Sequence, residues 1–280
     1  MDNIKGIIQI IHGMSECKER YKDFINFYKQ KGYIVFIEEH KYHGKKFANN
    51  LGAFNYDFNI LIKDQIDFSY KLKKKYPDIP IYILGHSMGS FIAQEHMKTC
   101  SSIIKGYILA GSSYKPFFLW KFAKYFSLIL DKFYKNKKAD LIHKIIFLGY
   151  DSKFKKDNLK NSWLTRNIDS IKNYNKNNLT GFPYSSSFYK EFFFFLDQLY
   201  IKESCENISK NKPILIISGS LDPVGYFEKN VVSLYNYYLK QNFKNLTLKF
   251  FPNCRHELHN EINNIEIFNW ILNWMKKADY

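Results

Sequence analysis

The sequence predicts an α/β fold, a mostly parallel sheet with helices on both faces, interrupted once by a long insertion. Three observations carry this. Short apolar runs alternate with stretches of helical periodicity at both ends of the chain. The runs are apolar almost throughout, as in strands buried on both faces, instead of at every second residue. The middle of the chain breaks the rhythm and is dense in Lys, Asn and aromatic residues.

Taken in order, Gly6-Ile7-Ile8-Gln9-Ile10-Ile11 reads as a buried strand. Tyr21, Phe24, Ile25 and Tyr28 then repeat at helical spacing until Gly32 stops the helix. Residues 33–37 form a second strand. Phe58, Leu61, Ile62, Ile66 and Ser69 outline a helix ending before Pro77. A strand at 81–84, a helix over about 88–99 and a strand at 104–110 follow. In the insertion, Leu119, Phe122, Ala123, Phe126, Ile129, Leu130 and Phe133 form one helical stripe, and Phe192-Phe193-Phe194-Phe195 is a second aromatic block. The alternation resumes with a strand at 213–217, a helix around 231–239, a strand at 246–251 and a last helix carrying Ile265, Phe268, Ile271, Leu272 and Met275. The expected division is a core of residues 1–113 and 212–280 around an insertion of 114–211.

Composition narrows the function classes. Of 280 residues, 46% are hydrophobic and 24% charged, which excludes a disordered or collagen-like chain. The net charge is +16, yet only three of the 42 basic residues are Arg. Lys, Asn, Ile, Phe and Tyr, all encoded by AT-rich codons, dominate while Ala is scarce. The charge therefore reads as a lysine-rich solvated surface, with possible weak association with an anionic membrane surface. No nucleic-acid reading motif is present, so no nucleic-acid partner is expected. Cys17, Cys100, Cys205 and Cys254 form no CxxC pair, and neither a zinc site nor a disulfide framework is expected. The N-terminus lacks the pattern of a secretory signal and no run reaches the length of a membrane span, so a cytoplasmic setting is expected.

The chemistry sits in three places. Gly85-His86-Ser87-Met88-Gly89 fits G-x-S-x-G where a strand ends and a helix begins, a sharp turn that projects the serine hydroxyl above the sheet. The alternative, a serine that only caps the helix, does not need flanking glycines. A serine needs a base, and His256 lies just past the strand at 246–251, with His259 as its rival. The base needs an acid, and Asp222 follows the strand at 213–217. The order Ser87, Asp222, His256 is that of one serine-hydrolase arrangement. Backbone N–H groups of Met88 and Met14 are placed to stabilise an oxyanion, with Gly13 allowing close approach. His12 has no partner at metal-ligand spacing, and His40 and His43 read as loop residues. No metal or cofactor is expected.

These residues carry a resemblance. The chain resembles the monoacylglycerol lipase and lysophospholipase branch of the α/β-hydrolase superfamily, which overlaps the families labelled serine aminopeptidase S33 and Hydrolase_4. The resemblance rests on His12-Gly13-Met14 with Glu16 and Arg20-Tyr21, on His43-Gly44-Lys45, on Gly85-His86-Ser87-Met88-Gly89, on Asp222-Pro223-Val224-Gly225 and on Arg255-His256-Glu257-Leu258. Within the insertion, Trp163-Leu164-Thr165-Arg166-Asn167 and Gly181-Phe182-Pro183-Tyr184 are similar to bacterial members, which often have Asp where Asn167 stands. All three arginines fall in these segments, which suggests that each has a task needing a guanidinium.

The resemblance implies Ser87 as nucleophile, His256 as base, Asp222 as acid and Met14 and Met88 as oxyanion donors, with residues 114–211 as a cap over an acyl pocket. Only about five residues precede the first strand, where family members usually open with a β-hairpin, so that edge hairpin is expected to be shortened or absent. The expected activity is hydrolysis of carboxylic esters with apolar acyl chains, a small lipid or ester such as a monoacylglycerol or lysophospholipid. Phe118 and Trp120 lie beside the apolar stripe and are expected to contact the acyl chain. An aminopeptidase or acyltransferase with the same triad, and a catalytically silent binding protein, are the alternatives.

Overall fold

The computed structural model describes residues 4–114, 118–134, 137–200 and 205–278. Isoleucine-rich runs, stiff at χ1 and suited to a pleated surface, become strands. They are β1 (Gly6–Ile11), β2 (Tyr33–Ile37), β3 (Ile81–His86), β4 (Gly106–Ala110), β5 (Ile214–Gly219) and β6 (Leu246–Phe251). All pair in parallel, in the order β2-β1-β3-β4-β5-β6. No antiparallel hairpin precedes β1 among the described residues. The strand order reverses between β1 and β3, and ligand sites of open parallel sheets form at such a switch point, beyond the strands' carboxyl ends.

Alternation along each strand builds two cores. Ile7, Ile83, Leu109 and Ile216 point to one face and pack against α2 (Asn59–Lys75), α3 (Met88–Cys100) and α8 (Lys229–Lys240), through residues such as Leu61, Ile92 and Leu234. Ile8, Tyr82, Ile108 and Leu215 point to the other and meet Phe24 and Tyr28 of α1 (Lys22–Gln30) and Phe268 and Ile271 of α9 (Asn264–Ala278). Gln9, the polar residue in β1, is satisfied: its amide donates to Gln65 and its carbonyl accepts from Ser69, each at about the usual distance.

Between β4 and β5 the chain forms α4 (Phe118–Tyr134), α5 (Asp140–Ile146), α6 (Ile168–Lys176) and α7 (Ser186–Leu199). In α7, Phe192, Phe193 and Phe195 are buried while Phe194 faces solvent, as helical periodicity requires. Phe58 stacks on Phe195 at 4.8 Å and tilts onto Phe192 at 5.2 Å, joining α7 to the core. The stripe expected on α4 divides. Phe126 and Leu130 pack inward, but Ile129 and Phe133 are exposed, because the packed face is shared with Ser127 and Asp131, and Asp131 accepts from Ser186, Ser187 and Lys190 of α7. Phe118 and Trp120 belong to the first turn of α4, and their side chains lie outside the described residues. Boundaries differ slightly from expectation: β3 continues through Gly85 to His86, and β4 begins at Gly106.

Most of the eight histidines are buried and uncharged. Burial pushes His96 down to about 3, and burial with the neighbouring His43 and His40 takes His12 and His43 to about 3 as well. His40 and His259 are also pushed well below the ordinary value, chiefly by burial, and His143 to about 4. Each of these has a folded-state pKa below the unfolded one, so the unfolded chain binds more protons as pH falls below about 6.5. Stability from these groups is present above that pH and is lost on acidification, at up to about 1.4 kcal/mol per pH unit for each group that stays neutral. Only His86 shifts upward, and its contribution runs the other way. The protein should unfold cooperatively above about pH 4.5 in an acid titration followed by circular dichroism. A fold that persists to pH 3 would contradict this burial of neutral imidazoles.

Candidate active site

The turn after β3 fixes Ser87. Its φ of +52° and ψ of −121° are strained for a residue with a side chain. Its N–H donates to the Ala110 carbonyl at 3.0 Å, and its carbonyl accepts from Ser90. The flanking glycines are required by contact: a Cβ on Gly89 would lie 1.9 Å from the Ile11 carbonyl oxygen, and one on Gly85 2.5 Å from that of Gly89. The helix α3 thus starts against the end of β1, which brings the loop 12–16 beside Ser87. A Cβ on Gly13 would come within 3.1 Å of the Ser87 Cβ, so the smallest residue allows that approach.

Asp222 follows β5 and is fully buried. Its Oδ2 lies 2.9 Å from His256 Nδ1 and also accepts from the Ser218 hydroxyl, while its Oδ1 accepts from the Val224 N–H. The rival His259 sits in a single turn of 3₁₀ helix, Leu258–Asn260, ahead of α9, and stacks on Tyr21 at 4.3 Å.

Ser87, His256, Met14 and Met88 line one cavity of about 60 Å³. Its other walls include Ile146, Phe147, Tyr150, Trp163 and Phe192. Trp163 lies 4.9 Å from the His256 ring and stacks on Phe147 at 5.5 Å. The site is apolar with few polar groups, as small-molecule sites tend to be.

The sequence reading gave no role to Glu16 or His86 beyond their place in motifs. Glu16 is buried and its Oε1 accepts from the Gly13 N–H, from the Tyr21 hydroxyl at 2.8 Å and meets His86 Nδ1 at 3.1 Å. Burial alone would raise its carboxyl, but the charge and hydrogen bond of His86 hold it well below the ordinary range. Burial lowers His86, and the Glu16 carboxylate more than offsets this, leaving it raised. The spacing of Glu16 and Tyr21 after His12-Gly13 was visible, but their meeting at one carboxylate oxygen needed the fold.

The three arginines share one task. Arg20 donates through Nε and Nη2 to Glu257, Arg166 through Nε to Glu261 at 2.8 Å, and Arg255 Nη1 to Asp157 and to the Ser162 and Thr165 carbonyls. All three hold the segment that carries His256. The insertion also pairs with it directly, through Glu257 N–H to the Leu164 carbonyl at 2.6 Å. Asn167 caps α6 by accepting from the Ser170 N–H, a task Asn performs as well as Asp. The segment 181–184 ties the insertion to the loop after β1, with the Ser15 hydroxyl on the Phe182 carbonyl and the Ser15 N–H on the Tyr184 hydroxyl.

The family model Hydrolase_4, described as serine aminopeptidase, S33, matches residues 2–263. The chain belongs to this family. Mouse monoglyceride lipase is 33% identical over 89 residues, 32% of this chain and 29% of that protein. Bacillus subtilis phospholipase YtpA is 33% identical over 97 residues, 35% of this chain and 36% of that one. These matches thus span about a third of the curated relatives. Among solved structures, a thermostable carboxyl esterase from Bacillus coagulans superposes with a TM-score of 0.89 at 23% identity, covering 99% of this chain and 91% of that one. A monoglyceride lipase variant from Saccharomyces cerevisiae gives 0.80 at 20% identity, covering 99% and 88%. At such identities these structures establish the α/β-hydrolase fold, and the six-stranded parallel sheet of this family member is an example of it.

Arg255→Lys tests the clamp on the His256 segment. Arg255 Nη1 reaches Asp157 and two carbonyls while the guanidinium plane lies 4.2 Å over the Phe154 ring, and the more strongly hydrated ammonium on its flexible stem does not combine that reach with the planar stack. The expected loss is about 1–3 kcal/mol, read as a lower urea midpoint. An unchanged midpoint would mean that the segment is held without it.

Proposed function

We propose that this family member is a serine hydrolase that cleaves carboxylic esters of apolar acyl chains, with a neutral alcohol as the leaving group. The observation that carries the reading is the pairing of buried Asp222 with His256, which lines one small apolar cavity together with a strained Ser87. Ser87 Oγ attacks the ester carbonyl and His256 Nε2 takes its proton. Asp222 holds Nδ1–H and stabilises the imidazolium. The N–H groups of Met14 and Met88 receive the oxyanion. His256 then protonates the departing alcohol, and water activated by the same ring releases the acid.

The lining favours esters over the alternatives. Among the described residues no Lys or Arg lines the cavity, so the phosphate of a lysophospholipid finds no lysine or arginine counter-ion there. A monoacylglycerol, uncharged, needs none. An aminopeptidase needs a free carboxylate for the substrate's amine. Of the two carboxylates in the lining, Glu16 faces His86 and Glu257 is clamped by Arg20. Residues 114–211 act as the cap in this reading. The cavity is far smaller than the roughly 300–1,000 Å³ of sites that enclose a drug-sized ligand, so an acyl chain is admitted only when the cap shifts.

The cap also presents Tyr125, Leu128, Ile129 and Phe133 of α4 to solvent, beside exposed Lys132, Lys137 and Lys138. Among the described residues no helix is long and apolar enough to cross a membrane. An apolar patch with a lysine fringe fits the surface of an anionic bilayer, where each Lys near the surface contributes about 1 kcal/mol. Such docking would bring the cap to the substrate's own phase.

Ser87→Ala should abolish labelling by a fluorophosphonate and lower ester turnover by about 10⁵–10⁶, and Asp222→Asn should lower kcat by about 10⁴, both with the fold retained. The wild type should prefer octanoyl to acetyl esters of p-nitrophenol, and monoacylglycerol to lysophosphatidylcholine of equal chain length. Labelling that persists on another serine would move the nucleophile, and a preference for acetate would remove the lipid substrate.

Sedimentation with phosphatidylserine-containing vesicles checks the docking. Binding should weaken with salt and fall with Ile129→Asp and Phe133→Asp. Equal binding by both variants would place the contact elsewhere.

A further inference from the structure

Behind the loop 12–16, three buried side chains face one another with bonds unmade. Glu16, His86 and His259 each offer a ligand atom within 4.8 Å of the other two. Their relative exposures are 2%, 2% and 7%, so solvent does not satisfy them. Among the described residues, Glu16 Oε2, His86 Nε2 and His259 Nε2 have no hydrogen-bond partner. A buried polar atom without a partner is costly, and three together are rare. Their other atoms are engaged and hold them in place. Glu16 Oε1 is bonded to the Gly13 N–H and to Tyr21, and His86 Nδ1 meets the same oxygen. The His259 ring is stacked on Tyr21 and meets His86 edge-on at 4.8 Å. The three come from the loop after β1, the last residue of β3 and the turn before α9, so only the folded chain assembles them.

We propose that Glu16, His86 and His259 form a site for a transition-metal dication of the zinc class. Two imidazoles and one carboxylate suit zinc, cobalt or nickel, whereas magnesium and calcium require oxygen ligands. Around a tetrahedral zinc with bonds of about 2.1 Å the ligand atoms lie about 3.4 Å apart. The site therefore closes by up to about 1.4 Å along its longest edge, a movement we assign to rotation of the Glu16 side chain. Glu16 and His86 also line the cavity, so the fourth position opens towards Ser87 and is left to water. Binding turns Glu16 away from the Gly13 N–H and shifts the loop that carries Met14, so the ion inhibits ester cleavage. The inhibition rests on the ester-hydrolase reading; the binding does not.

The test is titration of chelator-stripped, full-length protein with Zn²⁺ by calorimetry and with Co²⁺ by visible absorption. One ion per chain should bind, with cobalt bands of a nitrogen–oxygen ligand set and no thiolate charge-transfer band. Glu16→Gln and His259→Phe should each weaken binding at least tenfold. His259→Phe keeps an aromatic ring on Tyr21, so it decides the matter even if Glu16→Gln does not fold, as judged by circular dichroism. Wild-type protein that shows no saturable binding, a thiolate band, or His259→Phe with unchanged affinity would overturn the site. Zn²⁺ should also inhibit wild-type ester turnover reversibly, with restoration by chelator. Binding without inhibition would overturn the second half alone, and a protein with no esterase activity that still binds one ion would leave the site standing while removing the proposed function.

Discussion

His256 sits on irregular chain, and its position depends on charge pairs that close around it. Glu257 and Glu261 follow it and are held by Arg20 and Arg166, while Arg255 before it reaches back to Asp157 and two carbonyls of the insertion. Bidentate and multiply bonded guanidinium groups in a partly buried setting are worth more than exposed ion pairs, and they also fix direction. A lysine-rich chain that uses arginine only here separates two needs. Lysine supplies solubility at the surface, and arginine supplies geometry inside.

The same economy is visible in the turn after β3. Ser87 keeps a positive φ because its surroundings leave it no alternative: α3 is pressed against the end of β1, and its backbone bonds run to β4 and to Ser90. The strain is local and is sustained by the parallel sheet beneath, whose two apolar faces are both covered. The loop after β1 completes the arrangement. Glu16 orients it from behind, through Gly13 and Tyr21, and the insertion grips it from above, through Phe182 and Tyr184. Core and insertion therefore meet at the site by direct hydrogen bonds as well as by apolar packing.

A mostly apolar cavity sits inside a strongly basic chain. The lysine charge lies on the outside, and among the described residues no Lys or Arg lines the cavity. The split stripe of α4 belongs to the same division. One side of the helix anchors to α7 through Asp131, and the other leaves Ile129 and Phe133 facing outward.

The strands and most helices were legible because both obey short-range periodicities, and parallel strands buried on two faces announce themselves as apolar runs. Ser87, Asp222 and His256 could be singled out as candidates for a related reason: each follows the end of a strand, Ser87 at once and the other two within a short loop, and strand ends are where a parallel sheet gathers its side chains. What the sequence alone could not decide lies in contacts between distant segments. The unsplit stripe on α4 was misread because hydrophobic spacing does not reveal which neighbour a helix meets. Glu16, His86 and His259 are separated by 70 and 173 residues, from 86 − 16 and 259 − 86. No local pattern links them, and only the packing of β1, β3 and the turn before α9 makes one cluster of them.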